Sequence, residues 1–162
     1  MKNLFFAGSF LSIFFLISCG PNYIYEKSFE INKEGWAYED TLNFEVEITD
    51  TLEIYNLYLD IEHATNYAKQ NIYVMIYTQF PSGQRIKERV AINFADKTGK
   101  WYGECNDSKC VLRVDIQKGA FFNLAGKHLF TIEQFMRINP LPGIYNVALR
   151  IEDTGQRRST EN

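Results

Sequence analysis

The sequence contains few of the residues that bind metals or perform acid–base and nucleophilic chemistry. It has two histidines and three cysteines among 162 residues, and His63 and His128 lack a paired metal-ligand spacing. The Gly-x-Ser-x-Gly and His-Glu-x-x-His motifs and a glycine-rich phosphate loop are also missing. We therefore expect no metal, no cofactor and no enzymatic activity, and we expect both histidines at the surface or in loops.

Neither positive nor negative charge is in large excess. The formal net charge is −3, and no Lys/Arg cluster reaches the density of a phosphate-binding patch. Nucleic acid is therefore not an expected partner, and we expect no small-molecule ligand.

The four prolines and ten glycines form no long linker, which favours a single domain.

Only one long apolar run is present, residues 4–17 after Lys2. It is shorter than the roughly 20 residues that a helix needs to cross a bilayer core, but it suits the apolar part of a signal peptide. The run ends in Leu16-Ile17-Ser18-Cys19, the pattern of a bacterial lipobox. We predict a signal peptide over 1–18 and acyl chains on Cys19 as the membrane attachment. An ordinary secretory signal beside a cysteine is the alternative.

The remaining chain alternates apolar and polar residues, the pattern of strands with one face in water. It does so at 42–48, 57–62, 86–94, 111–117 and 145–151, and segment 72–80 is apolar on both faces. After a turn at 81–83, we expect Ile86, Val90, Ile92 and Phe94 to face inward. Segment 129–136 is ambiguous between a strand and a short helical turn.

About eight or nine such strands without a long amphipathic helix predict an all-β fold. We favour an antiparallel β-sandwich with jelly-roll-like topology, and a closed barrel of lipocalin type is the alternative. The expected organisation is a lipidated tether over 19–22, the β-sandwich domain over 23–152 and a polar, frayed C-terminal tail over 153–162.

Two cysteines remain once Cys19 carries lipid. Cys105 and Cys110 lie five positions apart, and an exported protein meets an oxidising compartment. A local disulfide is therefore the favoured interpretation. Free thiols and a metal site are the alternatives, although a metal site needs more ligands than the chain offers.

Two features of the predicted strands bear on ligand binding and catalysis. The carboxylate pairs Glu45/Glu47 and Asp60/Glu62 each share a strand face, as a glycosidase dyad requires. Solvated faces of edge strands explain these charges better. An outward aromatic stripe would suit glycan stacking, but ordinary strand preference is the favoured interpretation; the stripe would consist of Tyr55, Tyr58, Tyr73 and Tyr77.

Three groups of residues together resemble the gliding-motility lipoprotein H (GldH) family of Bacteroidetes. They are HATNYAKQNIY with PSG (63–73, 81–83), ADKTGKWYG (95–103), and QFMR with LPGI and LRIE (134–137, 141–144, 149–152). The resemblance implies an envelope lipoprotein of gliding motility and its associated secretion apparatus, with other envelope proteins as partners and no catalytic residues. Trp101, Met136 and Arg137 are the candidate partner-binding residues. The alternatives are a Trp101 ring buried against a hairpin, and structural roles for Met136 in a packing corner and for Arg137 in binding backbone carbonyls. A glycan-binding lipoprotein of a nutrient-uptake system is the alternative function.

Two further expectations rest on features of envelope proteins in Bacteroidetes. Asp40-Thr41-Leu42 and a second such triplet at 50–52 resemble their O-glycosylation sites, which makes Thr41 and Thr51 candidates, with turn chemistry as the alternative. Surface export there often requires an acidic cluster directly after the lipidated cysteine, whereas the first acid here is Glu26. We therefore expect a periplasm-facing domain, with the inner leaflet of the outer membrane favoured.

Overall fold

The computed structural model describes residues 20–159, so the predicted signal peptide and Cys19 lie outside the described residues. This range contains nine β-strands: β1 (Asn22–Glu30), β2 (Leu42–Ile48), β3 (Glu53–Ala64), β4 (Asn71–Gln79), β5 (Arg85–Asn93), β6 (Glu104–Cys105), β7 (Lys109–Ala120), β8 (Gly126–Gln134) and β9 (Ile144–Arg157). A search of residues 20–159 finds no helix with the length and hydropathy needed to cross a membrane.

The strands form two antiparallel sheets. The five-stranded sheet has the order β1-β9-β3-β7-β6, and the four-stranded sheet has the order β2-β8-β4-β5. The pairs β1·β9, β2·β8, β3·β7 and β4·β5 are nested antiparallel pairs that are rolled into two facing sheets, which is the jelly-roll topology. The predicted all-β, jelly-roll-like sandwich is therefore confirmed.

The core lies between the sheets and follows from the alternation in the sequence. In β2, Leu42, Phe44, Val46 and Ile48 are buried and the residues between them are exposed. Because successive strand side chains point to opposite faces, this pattern places one face of β2 against the opposite sheet. The largest fully buried side chain is Trp36, in the β1–β2 connection.

The strand registers define two ends of the sandwich. Asn22 and Tyr55 both pair with Asp153, and Tyr55 also pairs with Ala120, so the start of β1 and the end of β7 share one row. We call this the Asn22 end. At the opposite end, β8 ends at Gln134 and the 135–143 loop begins; we call this the Met136 end.

The structure corrects two predictions about the extent of strands. The ambiguous segment 129–136 belongs to strand β8 as far as Gln134, because its backbone pairs with β2 on one side and β4 on the other. The expected frayed tail from 153 is wrong within the described range, since β9 continues to Arg157. Arg157 forms ion pairs with Asp50 and Glu53, and Thr154 donates a hydrogen bond to Ile54 O, which holds this extension in place.

The inward row of β5 is correct only in part. Ile92 and Phe94 are buried, whereas Ile86 is 50% exposed. Ile86 lies near the start of β5, where a groove of about 450 Å³ opens towards Leu57 of the opposite sheet. Alternation predicts which way a side chain points, but it does not show whether the opposite sheet reaches it.

Candidate functional site

Two long connections meet at the Met136 end. Trp36 in the β1–β2 connection and Leu141 in the β8–β9 connection exchange backbone hydrogen bonds, 2.8 Å and 2.9 Å between nitrogen and oxygen. The indole nitrogen of Trp36 also donates to Asp40 O over 2.8 Å. Both Trp36 and Leu141 are buried, so the two connections share the core and hold each other in a single arrangement.

A buried glutamine fixes the first part of the β8–β9 connection. Gln134 Nε2 donates to Ile138 O over 3.1 Å, and Gln134 Oε1 accepts from the Met136 backbone N–H over 2.8 Å. Gln134 is 3% exposed, and a buried amide at the end of a strand requires such partners. Residues 135–138 therefore form a defined loop around the glutamine side chain.

Tyr38 and Tyr73 complete the walls around this loop. The Tyr38 hydroxyl donates to Met136 O over 2.7 Å, and the Tyr38 backbone N–H donates to Asn139 Oδ1 over 2.9 Å. On the other side, the Tyr73 backbone N–H donates to Met136 Sδ over 3.2 Å, and Phe135 N donates to Tyr73 O over 2.7 Å. Met136 is thus held from both sides.

The result is an open groove of about 940 Å³, which we call the Met136 groove; it is lined in part by Tyr38, Tyr73, Phe135, Met136, Arg137 and Ile138. Phe135 is 50% exposed and Ile138 is 43% exposed. Clustered apolar and aromatic side chains on a rigid surface are typical of protein-binding sites. Met136 and Arg137 are predicted site residues that the structure brings together here.

The Met136 groove is cationic on an acidic protein. Lys69, Arg89 and Arg137 line it together with a single carboxylate, Glu133. The Arg89 guanidinium lies over the Tyr73 ring, 5.8 Å from its centre, and within residues 20–159 none of the three cations forms an ion pair. The groove is therefore suited to a ligand that combines apolar groups with carboxylates.

Sequence reasoning missed most of this groove. Phe135 and Ile138 adjoin the predicted residues Met136 and Arg137, so their position along the chain was a usable signal. Tyr38 and Lys69 reach the groove from distant connections, and no local pattern indicates this. Only the pairing of β8 with β4 brings Tyr73 beside Met136.

The third predicted partner-binding residue, Trp101, lies elsewhere. It bridges to Ala95, and its indole nitrogen donates to Thr65 O over 3.0 Å. Its ring meets the His63 ring edge-on, with 4.9 Å between ring centres. These contacts explain Trp101 as a packing residue that closes the connection after β5, and the structure does not bring it to the Met136 groove.

Both histidines are buried, which corrects the expectation of surface or loop positions. His63 is stacked on Phe94 with 4.3 Å between ring centres, and His128 packs against Phe122 at 4.7 Å. Alternation would have placed His63 inward, because it continues the row of Leu57, Leu59 and Ile61. Both Nε2 atoms are buried and have no hydrogen-bond partner among residues 20–159, so neither is presented at the surface.

The His63 environment favours the neutral imidazole. Its Nδ1 lies 2.9 Å from Ala64 O, so this nitrogen carries the ring hydrogen and donates a hydrogen bond to the carbonyl. Burial lowers the pKa of His63 below its ordinary value, against the smaller opposing effect of that hydrogen bond. Burial in the same cluster raises the pKa of Tyr67 to about 12. These groups therefore behave as core aromatics.

Asp60 corrects the interpretation of its carboxylate pair as a solvated edge. Strand β3 is the central strand of its sheet, and Asp60 is buried there. Arg113 binds both carboxylate oxygens over 2.7 Å and 2.8 Å, and Arg150 Nε binds one over 2.7 Å. Burial alone would raise the pKa of Asp60, but the two guanidinium groups outweigh it and lower the pKa. By contrast, Glu45 lies on β2, which is an edge strand as expected.

The tyrosines do not form a stripe, as expected if they are ordinary strand residues. Tyr55 is buried in the core, where its ring lies 5.6 Å from Phe122. Tyr58 belongs to the five-stranded sheet and donates to Glu152 Oε2 over 2.6 Å, whereas Tyr73 and Tyr77 belong to the other sheet. A flat stacking platform needs rings on one face, and these four are divided among different surfaces.

The remaining candidate residues lie apart from the groove. Cys105 and Cys110 are paired across the β6–β7 hairpin and form a disulfide, with 4.0 Å between their Cα atoms. Thr41 is exposed just before β2, and Thr51 is half-buried just after it, at the opposite end of that strand. Both lie in connections between strands, and their glycosylation stays a prediction. The described residues also contain no group of three or more His, Cys, Asp or Glu arranged to hold a metal ion.

Together, the fold and the groove define a jelly-roll domain that presents a rigid, cationic and partly apolar surface at one end. Residues 23–151 match the family model described as GldH lipoprotein. The chain belongs to the GldH lipoprotein family, which confirms the resemblance found in its sequence. Lipoproteins of this kind are attached to the cell envelope by covalently bound lipid.

Two relatives agree with this assignment. The gliding motility lipoprotein GldH homolog of Christiangramia forsetii is 27% identical over 157 residues, covering 88% of this chain and 93% of the relative. The gliding motility lipoprotein GldH of Flavobacterium johnsoniae is 22% identical over 153 residues, covering 88% of this chain and 92% of the relative. Both alignments therefore extend over nearly the whole of each protein.

Solved structures add little. TmCBM61 in complex with beta-1,4-galactotriose aligns with 70% of this chain and 61% of its own, with 10% sequence identity and a TM-score of 0.34. A similarity this low carries no argument about function or ligand.

Proposed function

We propose that this chain is a gliding-motility lipoprotein that binds another protein of the motility or associated secretion machinery, without catalysing a reaction. The relatives with this printed name support the process. The Met136 groove supports the binding role, because its exposed Phe135 and Ile138 lie beside three cations that have no ion-pair partner among residues 20–159.

The partner segment that fits this groove combines aromatic or aliphatic side chains with carboxylates. Arg89 and Arg137 would meet the carboxylates, and Tyr38, Phe135 and Ile138 would meet the apolar groups. Gln134 and the Tyr38 hydroxyl hold the walls in place before binding, so little ordering is required when the partner arrives. Rigid apolar anchors of this kind usually supply most of the binding free energy.

The attachment in this proposal is lipid on Cys19, with the domain facing the periplasm from the inner leaflet of the outer membrane. The structure is compatible with a short tether, since β1 begins at Asn22. The first acid after Cys19, Glu26, is part of β1 and forms an ion pair with Arg150 over 2.5 Å. It is therefore poorly placed to serve as a flexible acidic export signal.

Photo-crosslinking in living cells tests the binding role. Benzoylphenylalanine is placed at Ile138 in the groove or, as a control, at Val111 on β7; both residues are 43% exposed. We expect a crosslink to a motility or secretion envelope protein from position 138 and not from 111. Adding Arg137→Glu should reduce that crosslink at least several-fold, because it reverses a groove charge.

Phenotype provides the second readout. Ile138→Asp should abolish spreading and secretion of adhesins at normal protein levels, whereas Val111→Asp should leave both intact. Normal spreading after deletion of the whole gene, in a species that glides, would contradict the motility role. Growth loss on one polysaccharide with motility intact would instead support the glycan-binding alternative.

A further inference from the structure

The exposed large apolar side chains lie at the two ends of the sandwich and differ in kind. Near the Met136 end, the exposed tyrosines Tyr38, Tyr73, Tyr102 and Tyr145 accompany Val111, Phe135 and Ile138. Near the Asn22 end they are purely hydrocarbon: Ile24, Ile86, Phe121 and Leu124. A tyrosine hydroxyl needs a polar partner, as at a protein interface or at the headgroup level of a bilayer, whereas hydrocarbon groups without a polar atom can enter the acyl region.

The β7–β8 loop presents two of these side chains in a fixed way. Phe122 is buried and packs on His128, with 4.7 Å between ring centres, which anchors the loop to the core. Phe121, beside it, is 50% exposed and Leu124 is 44% exposed, and both line the groove of about 450 Å³ near Ile86. This loop, residues 121–125, is therefore anchored to the core and carries two exposed apolar side chains.

The loop lies at the end of the domain that the anchor would hold. Asn22, Asp153, Tyr55 and Ala120 are paired in turn across four neighbouring strands. Asn22 and Ala120 are therefore three strand spacings, or about 14 Å, apart. Three steps of extended chain from Cys19 to Asn22 span about 10 Å. Acyl chains on Cys19 would therefore keep the Asn22 end against the membrane, with Phe121 and Leu124 within reach of it.

Charges at this end are compatible with a lipid surface. Arg157 pairs with Asp50 and Glu53, and Asp153 accepts a hydrogen bond from the Gly155 N–H. Arg158 has no ion-pair partner among residues 20–159, and its guanidinium lies over the Phe121 ring, 4.9 Å from the ring centre. In a bilayer the headgroup phosphates lie outside the acyl chains. A cation above an apolar ring suits this order, with the cation at the phosphates and the ring among the acyl chains.

We infer that the 121–125 loop inserts Phe121 and Leu124 into the membrane that carries the anchor, with Arg158 at the headgroup phosphates. This inference rests on the attachment through Cys19 in the proposed function. The inserted loop and the acyl chains are two separate points of contact, so the domain is held upright and the Met136 groove faces away from the membrane. A partner is then met at a defined height and orientation.

Photo-crosslinking to lipid tests the insertion. The full lipidated protein is placed in vesicles of phosphatidylethanolamine and phosphatidylglycerol with radiolabelled acyl chains, with benzoylphenylalanine at Leu124 or at Ile138. These residues are 44% and 43% exposed, so they form a matched pair at opposite ends. We expect at least five-fold more labelled lipid on the protein from position 124 than from position 138.

Other outcomes overturn the inference in distinguishable ways. Equal lipid labelling at 124 and 138, with the protein floating together with the vesicles, means that the anchor is present but the loop does not insert. A protein–protein adduct from 124 means that a second copy covers the loop. A protein that fails to float lacks the attachment on which the proposed function also depends.

Discussion

His63 shows how a single polar side chain can serve as a core residue. It is fully buried, its Nδ1 donates to Ala64 O, and its ring is stacked on Phe94. No group within residues 20–159 pairs with its Nε2 atom, so a second proton there would place an uncompensated charge in the core. Folding therefore selects the neutral ring.

This selection predicts a pH dependence of stability. The unfolded chain protonates His63 below about pH 6.5, while burial lowers the pKa in the folded state. Between the two pKa values the unfolded state binds more protons, so stability falls as the pH drops, by up to ~1.4 kcal/mol per pH unit. Asp60 has a lowered pKa, so its contribution is lost only in more acidic solution than the range from pH 5 to 6.5.

The substitution His63→Asn tests this. The asparagine amide can donate to Ala64 O but does not titrate, so the slope of unfolding free energy against pH should flatten over pH 5–6.5. Loss of the stacked ring should also reduce stability by roughly 2 kcal/mol at every pH. Urea unfolding at several pH values measures both quantities, and an unchanged slope in the variant would contradict the assignment to His63.

At the scale of elements, the β6–β7 hairpin is held by its turn as well as by its cysteines. Asn106 Oδ1 accepts from the backbone N–H groups of Ser108 and Lys109 over 3.0 Å and 2.9 Å. Thr65 N also donates to Ser108 O over 3.0 Å, which ties the hairpin to the end of β3. Cys105 and Cys110 therefore face each other because of the turn and its contact with β3.

The predicted oxidation state of this pair is tested by thiol labelling. In protein isolated under oxidising conditions, Cys105 and Cys110 should not react with maleimide until a reductant is added. Replacing both with serine should lower the free energy of unfolding by about 2 kcal/mol or less, because the closed loop is short and its turn is already ordered. Quantitative maleimide labelling of both cysteines before reduction would contradict the prediction.

The hairpin also contains a position where only glycine fits. Gly103 has a φ of +79°, and a Cβ atom there would lie 2.3 Å from Val111 O. The backbone of one strand approaches that of the next too closely for any side chain. This explains why the segment after Trp101 turns directly into β6.

At the scale of the whole molecule, the two ends have different environments. The Asn22 end follows directly from the predicted lipidation site, and the Met136 groove lies at the opposite end of the strands. With lipid on Cys19, as predicted, a tether of only a few residues would keep the domain beside its membrane. Insertion of the 121–125 loop, as inferred above, would then point the groove away from that membrane surface.

We predict that the domain faces the periplasm. Protease added to intact cells should leave the protein undigested, and digestion should begin only after the outer membrane is permeabilised. A known surface lipoprotein and a known periplasmic protein are the two controls. Digestion in intact cells while the periplasmic control survives would mean that the domain faces outward.

Local pattern in the sequence was sufficient for the class of fold and for much of the core. The alternation in β2 and β3 assigns Leu42, Phe44 and Leu59 to the inner face, because side chains of a strand alternate regardless of its neighbours. The family was likewise recognisable from its motifs, and the match of residues 23–151 to the family model confirms the family.

Tertiary structure alone decided the properties that depend on which strands become neighbours. Asp60 is a buried ion-pair centre because β3 pairs with β7 and β9, which carry Arg113 and Arg150. The Met136 groove exists because residues 98 positions apart, Tyr38 and Met136, meet at one end of the sandwich. Strand order and the meeting of distant loops arise from long-range packing, and a local pattern contains no information about it.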